Sequence, residues 1–81
     1  MILERLSPPH TIHVSARFRL TLESAILDLE AGAARDERTL PLIDDADHQR
    51  RQHLLVAAQL ERAYRLRELL ARTAIRQERA A

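Results

Sequence analysis

The stretch LLVAAQLERAYRLRELLARTAI, residues 54–75, decides the fold, because its apolar residues recur every three or four positions. No Gly or Pro interrupts residues 45–79, and the sequence therefore predicts one long helix, helix B, over that range. Its apolar side chains are Leu55, Val56, Leu60, Ala63, Tyr64, Leu66, Leu70, Ala71, Ala74 and Ile75. They cover an arc of about 200°. This arc is too wide for one partner helix, so either the N-terminal lead folds back over the remainder or another chain covers it. Leu60, near the centre of the arc, is expected in the core.

A second helix, helix A, is predicted over residues 15–34, with Ser15 as its N-cap. The stripe expected to pack on helix B consists of Phe18, Leu22 and Leu29. Leu20 and Leu27 lie on the opposite side of helix A, so this helix also needs two sets of neighbours. Gly32, the only glycine of the chain, is expected to end the helix as a left-handed C-cap, unless the helix frays through Ala33 and Ala34.

The remaining segments are a polar connection over residues 35–44 and an N-terminal lead over residues 1–14. Pro41 in the connection prevents one continuous helix, and Asp44 or Asp45 is placed to cap helix B. Consecutive prolines exclude a helix from the lead, whose last residues can be extended. The chain is therefore predicted to be a single all-α domain. We expect an antiparallel helical hairpin with a short N-terminal extension, which assembles into a helical bundle.

The composition also favours helices, because the 81 residues include one Gly, no Trp, one Phe and one Tyr. Such a chain lacks the aromatic and turn residues of a multi-stranded sheet. No run reaches the ~18 apolar residues of a membrane span, and MILERL at the start lacks a signal-peptide pattern. We therefore expect a cytoplasmic protein without membrane contact. The absence of Cys excludes disulfides, thiolate metal sites and cysteine catalysis.

The polar residues do not predict a metal site or an active site. His48 and His53 are five residues apart, whereas two ligands on one helical face are three or four apart. The acidic pairs Asp36/Glu37 and Asp44/Asp45 lie in the polar connection, and no serine lies in a nucleophile elbow. We expect no metal, no cofactor and no enzymatic activity.

An alternative function is nucleic-acid binding through arginines on one side of helix B. These arginines are Arg51, Arg62, Arg65, Arg72 and Arg76. A stripe of this kind can follow a phosphate backbone. However, Glu61 precedes Arg65 by four residues, which is typical of a solvated helix, and the net charge is only +1. A ribbon-helix-helix arrangement is not favoured either, because helix B and the connection are too long for it.

The layout of the chain resembles the small co-chaperones of type III secretion needles, which are helical hairpins. The comparable stretches are LDLEAGA, residues 27–33, and LLVAAQLERAYRL, residues 54–66. The connection TLPLIDDADHQRRQ, residues 39–52, departs from the pattern by its length. The resemblance implies a cytoplasmic protein that binds an aggregation-prone helical subunit together with a second chaperone. It carries over no functional residue.

Together these observations predict a non-enzymatic protein–protein interaction module that acts through amphipathic helix faces, as an adaptor, co-chaperone or small regulator. The partner is expected to be a second copy of the chain, a helical protein, or both. The expected interface residues are Leu20, Leu27, Tyr64, Arg67, Leu70 and Ile75. Arg67 interrupts the apolar arc, so it should either snorkel to the edge or meet a carboxylate. Asp28, Glu23 or an acid of another subunit would supply that carboxylate.

Overall fold

The computed structural model describes residues 11–76, in which a helical hairpin is flanked by two short strands. The elements in order are strand β1 (Ile12–Val14), helix α1 (Ala16–Thr39), helix α2 (Ala46–Ala71) and strand β2 (Thr73–Ile75). A 3-10 turn at Leu40–Leu42 begins the connection between the helices. The strands pair in parallel, with Ile12 opposite Thr73 and Val14 opposite Ile75. The predicted helical hairpin is thus confirmed, with a strand pair that the sequence did not predict.

Both helices begin where their capping residues predict. The Phe18 backbone N–H donates to Ser15 Oγ over 3.0 Å, and the His48 N–H donates to Asp45 Oδ2 over 2.8 Å. Each cap satisfies one of the N–H groups that the first turn of a helix leaves without a partner. The N-cap of α1 is therefore confirmed, and Asp45 rather than Asp44 caps α2.

Helix α1 continues to Thr39, five residues beyond the predicted end at residue 34. The prediction that Gly32 ends the helix in a left-handed conformation was wrong, since its φ is not positive and it is buried within α1. The residues that follow it are compatible with a helix, and the helix ends only near Pro41. Proline has no N–H to continue the ladder of hydrogen bonds, and the chain tightens into the 3-10 turn instead.

Helix α2 ends at Ala71, so the prediction of a helix to residue 79 was also wrong. Residues 77–79 of that prediction lie outside the described residues. Thr73 and Ile75, both β-branched, form β2, and the Ile12 N–H donates to the Arg72 carbonyl over 2.9 Å. The Arg76 N–H donates to the Val14 carbonyl over 2.7 Å. Pairing with β1 supplies hydrogen-bond partners for the backbone around β2. The helix therefore ends here because of a tertiary contact, although no Gly or Pro interrupts the sequence.

The core is a seam between the two helices, extended by one strand residue. Its buried apolar residues are Val14, Leu22, Ile26, Ala33, Leu40, Val56 and Ala63. In α1 the intervals between Leu22, Ile26 and Ala33 are four and seven, and in α2 Val56 and Ala63 are seven apart, which is typical of a coiled-coil seam. Ile26, 1% exposed, is the one large side chain that is fully buried among the described residues.

Two residues expected in the core lie outside the seam. Leu60 is 45% exposed and Phe18 is 47% exposed. The seam of α2 runs along Val56 and Ala63, and Leu60 lies to one side of that line because each residue turns the helix by about 100°. The wide arc of helix B therefore remains partly uncovered, as does the second apolar side of α1.

Candidate protein-interaction face

The described part of the chain exposes more large apolar side chains than it buries. The exposed ones are Ile12, Phe18, Leu20, Leu27, Leu42, Leu54, Leu55, Leu60, Tyr64 and Ile75. Single exposed apolar residues are normal on a protein surface, so only a contiguous group indicates a binding site. The question is which of them lie together.

Helical spacing places four of the exposed side chains on one side of the hairpin, which we call the outer face: Leu20 and Leu27 from α1 with Leu60 and Tyr64 from α2. Leu20 and Leu27 are seven residues apart and therefore project from the same side of α1. Leu60 and Tyr64 are four apart on α2. Three of these four side chains are more than 60% exposed.

An ion pair shows that these two stripes lie on the same side of the hairpin. Arg67 Nε donates to Glu30 Oε2 over 2.7 Å, and Arg67 Nη2 donates to Glu30 Oε1 over 2.8 Å. Glu30 follows Leu27 by three residues, and Arg67 follows Tyr64 by three. The bond between the charged residues therefore brings the two apolar stripes alongside each other.

A groove of about 260 Å³ lies between the helices on this side. Its lining residues are Glu23, Ile26, Leu27, Arg67 and Leu70. The structure thus brings together three of the predicted interface residues, Leu27, Arg67 and Leu70, with Tyr64 one turn of helix away. Three of the lining residues are apolar and two are charged.

The partner of Arg67 is Glu30, not the predicted Asp28 or Glu23. Glu30 is on the side of α1 that faces Arg67, whereas Asp28 points about 160° away from Glu30 around the helix. Glu23 Oε2 lies 3.7 Å from Arg19 Nε. The hydrogen bond from Arg67 lowers the pKa of the Glu30 carboxyl, and the attraction of the guanidinium adds to this effect. The same bond raises the pKa of Arg67. The bidentate geometry links α1 to α2 along this side.

At the far end of the hairpin, Arg19 and Thr73 connect α1 to β2, a contact that sequence reasoning missed. Arg19 Nη1 donates to Thr73 Oγ1 over 2.8 Å and to the Thr73 carbonyl over 3.2 Å. Thr73 Oγ1 in turn donates to the Leu70 carbonyl over 2.7 Å. In the sequence, the alternation of Thr73 and Ile75 was the signal that could have indicated a strand here. Ile75, predicted as an interface residue of helix B, is exposed on β2 instead.

The predicted arginine stripe is shorter than the sequence indicates. Arg51, Arg62 and Arg65 lie on α2 and are exposed, but Arg72 caps the helix and Arg76 follows β2. Because α2 ends at Ala71, the last two arginines do not continue the helical line. Arg65 Nη2 also donates to Glu61 Oε2 over 2.9 Å, the pairing expected of a solvated helix.

A second groove, of about 400 Å³, lies on the other side of the hairpin. Leu29, Leu55 and Ala58 line it, and Arg62 lies beside them. Gln59 also lines this groove, and its buried Oε1 has no hydrogen-bond partner among the described residues.

Two further observations concern residues 11–76. These residues hold no group of three His, Asp or Glu side chains placed to bind a metal ion. Neither of their helices is both long and apolar enough to cross a membrane.

Comparison with protein families, curated proteins and solved structures found no match for this chain.

Proposed function

We propose that this protein is a non-enzymatic protein–protein interaction module, an adaptor, co-chaperone or small regulator, and that the outer face is its binding surface. The observation that carries the proposal is the grouping of Leu20, Leu27, Leu60 and Tyr64 on one side of the hairpin, beside a groove that Ile26, Leu27 and Leu70 help to line. An apolar helix of a partner fits such a surface, with side chains at three- and four-residue spacing entering the groove.

The architecture supports the same proposal. A two-helix hairpin is one layer of helices, whereas stable domains bury their apolar surface between two layers. The seam uses one stripe of each helix, and the outer face is the second stripe of both. A helical bundle formed with another chain would supply the missing layer. The resemblance in layout to type III secretion co-chaperones suggests a helical subunit as one class of partner.

The proposal is tested by affinity capture of the tagged full chain from its native cell. The variant Leu20→Ser/Leu27→Ser should lose the captured proteins, because both leucines are exposed on the outer face. The matched control is Leu42→Ser/Leu54→Ser, which alters two equally exposed leucines elsewhere and should retain them. Circular dichroism should show that both variants keep their helices.

Salt separates this function from nucleic-acid binding. Apolar contacts should survive a rise from about 0.1 to 0.5 M salt, whereas phosphate contacts weaken steeply over that range. Capture that is lost in high salt and after nuclease treatment, and is the same for both double variants, would contradict the proposal in favour of the arginine stripe.

A further inference from the structure

We infer that the occupant of the outer face is a second copy of this chain, packed by two-fold symmetry so that α1 of each copy lies on α2 of the other. This inference rests on the proposed function, since it names the partner of the same surface. It predicts a four-helix bundle. The outer faces of the two copies pack against each other inside the bundle, and the 400 Å³ groove of each copy lies on its surface.

The size of the face matches what such a dimer needs. Helices of 24 and 26 residues are about 36–39 Å long. Two helices side by side are about 20 Å wide. One side of the hairpin therefore offers roughly 700 Å², close to the ~800 Å² that each partner buries in a stable interface of standard size.

The charges beside the groove select the arrangement of the two copies. On this side α1 contributes Glu23 and Glu30, and α2 contributes Arg67, which bonds Glu30 within one copy. Arg19 Nε also lies 3.7 Å from Glu23 Oε2, so α1 carries two acids and one arginine here. Packing α1 on α1 would bring the acids of one copy against the same acids of the other. Packing α1 on α2 instead brings Glu23 and Glu30 of one copy close to Arg67 of the other, which is the electrostatically complementary choice.

The side-by-side order within one hairpin then fixes which residues meet. Leu27 lies level with Arg67 and Leu70, because all three line the same groove. A two-fold axis parallel to the helices keeps each residue at the same height in both copies. Leu27 of one copy therefore meets α2 of the other near Tyr64 and Arg67. These two residues are about one helical turn apart on α2. The same axis makes each contact occur twice, as in any isologous dimer.

The oligomeric state is the first test, by light scattering on the purified full chain across a range of concentrations up to roughly 100 μM. We expect a dimer. Leu20→Ser/Leu27→Ser should raise the dissociation constant by about tenfold or more, a loss typical of apolar residues at the centre of an interface. Leu42→Ser/Leu54→Ser should leave it within about threefold. A monomeric wild-type chain, or equal weakening by both double variants, would overturn the inference.

The arrangement is tested by disulfide cross-linking, for which the absence of cysteine makes the chain suitable. Two single variants, Leu27→Cys and Tyr64→Cys, are mixed and mildly oxidised. The mixture should give the heterodimeric disulfide in clear excess over either variant alone. A mixture of Leu27→Cys with Leu54→Cys is the control and should give little. Cross-linking of Leu27→Cys mainly to itself would show α1 on α1 and overturn the proposed arrangement.

The two proposals can fail separately. If the chain is a monomer but Leu20→Ser/Leu27→Ser abolishes capture of another protein, the outer face binds a different partner, and only the inference of a second copy is wrong. If the chain is a dimer whose stability does not depend on Leu20 and Leu27, the outer face is not the dimer interface. The proposed binding surface is wrong as well if Leu20→Ser/Leu27→Ser also retains the captured proteins.

Discussion

Ile26 and Leu27 are neighbours of almost equal size, yet one is 1% exposed and the other 61% exposed. Ile26 lies in the seam between the helices, and Leu27 lies on the outer face beside the groove. A single step along a helix turns the side chain by about 100°, which is enough to separate core from surface. The chain thus carries two apolar stripes in different environments: one is buried between the helices, and the other is exposed.

The largest expected effect tests the seam side of this comparison. Ile26→Ala should lower the free energy of unfolding by about 2–5 kcal/mol, because it leaves a cavity in the seam. Among the described residues, no other large side chain is fully buried. Urea denaturation followed by circular dichroism measures the loss. Leu42→Ala is the control: Leu42 is 76% exposed, and its change should stay within about 0.5 kcal/mol. Equal losses for the two variants would mean that the seam is not the core.

The contact between α1 and β2 should give the next largest effect. Thr73→Val keeps the shape of the side chain but removes the hydroxyl that accepts from Arg19 and donates to the Leu70 carbonyl. We expect a loss of about 1–3 kcal/mol, since a partly buried donor loses its acceptor. Thr21→Val is the matched control, because the Thr21 hydroxyl bonds to the Arg17 carbonyl at an exposed position. A loss no larger than that of the control would refute a structural role for this contact.

A stabilising change is expected at Gly32, where the sequence and the structure disagree most directly. A Cβ added there would meet Gln59 Nε2 at 3.5 Å and Arg35 Nη2 at 3.6 Å, which are ordinary contacts. Gly32→Ala should therefore raise the free energy of unfolding by about 0.5–1 kcal/mol, because alanine loses less backbone entropy in a helix. Ala31→Gly should lower it by a similar amount. If Gly32→Ala lowers the free energy of unfolding instead, the result would favour the prediction that Gly32 is a left-handed C-cap.

The smallest expected effect concerns pH and the ion pair beside the outer face. Arg67 holds the pKa of Glu30 below its ordinary value of 4.5, so ionised Glu30 favours the folded state. This contribution is fully present above pH 4.5 and is lost as the pH falls through the lowered value. In wild type, stability should therefore fall slightly more on acidification below pH 4.5 than in Glu30→Gln.

The ion-pair prediction has an internal check. Arg67→Gln should remove the same acid-dependent component as Glu30→Gln, and the double variant should lose no more than either single one. Additive losses would mean that the two side chains act independently. Denaturant titrations of the four proteins at several pH values between 2.5 and 6 provide the measurement.

Local signals in the sequence predicted the parts of the structure that depend on a few neighbouring residues. Ser15 and Asp45 cap the helices because a side-chain oxygen of these residue types reaches the N–H three positions ahead. The second side of α1, with Leu20 and Leu27, followed from helical periodicity alone. The identity of the Arg67 partner could not be predicted in this way, because Glu23, Asp28 and Glu30 were all acids of plausible spacing.

The sequence by itself therefore determined that this chain forms two amphipathic helices, where each begins, and that more apolar surface exists than two helices can cover. These properties follow from side-chain chemistry and from the fixed turn per residue of a helix. Only the tertiary structure decided that α2 ends at Ala71 and is followed by β2, that Gly32 stays within α1, and that Leu60 lies outside the seam. The strand, the helical glycine and the exposed leucine each depend on which distant segment lies alongside. That choice depends on free-energy differences between whole arrangements, which no local pattern records.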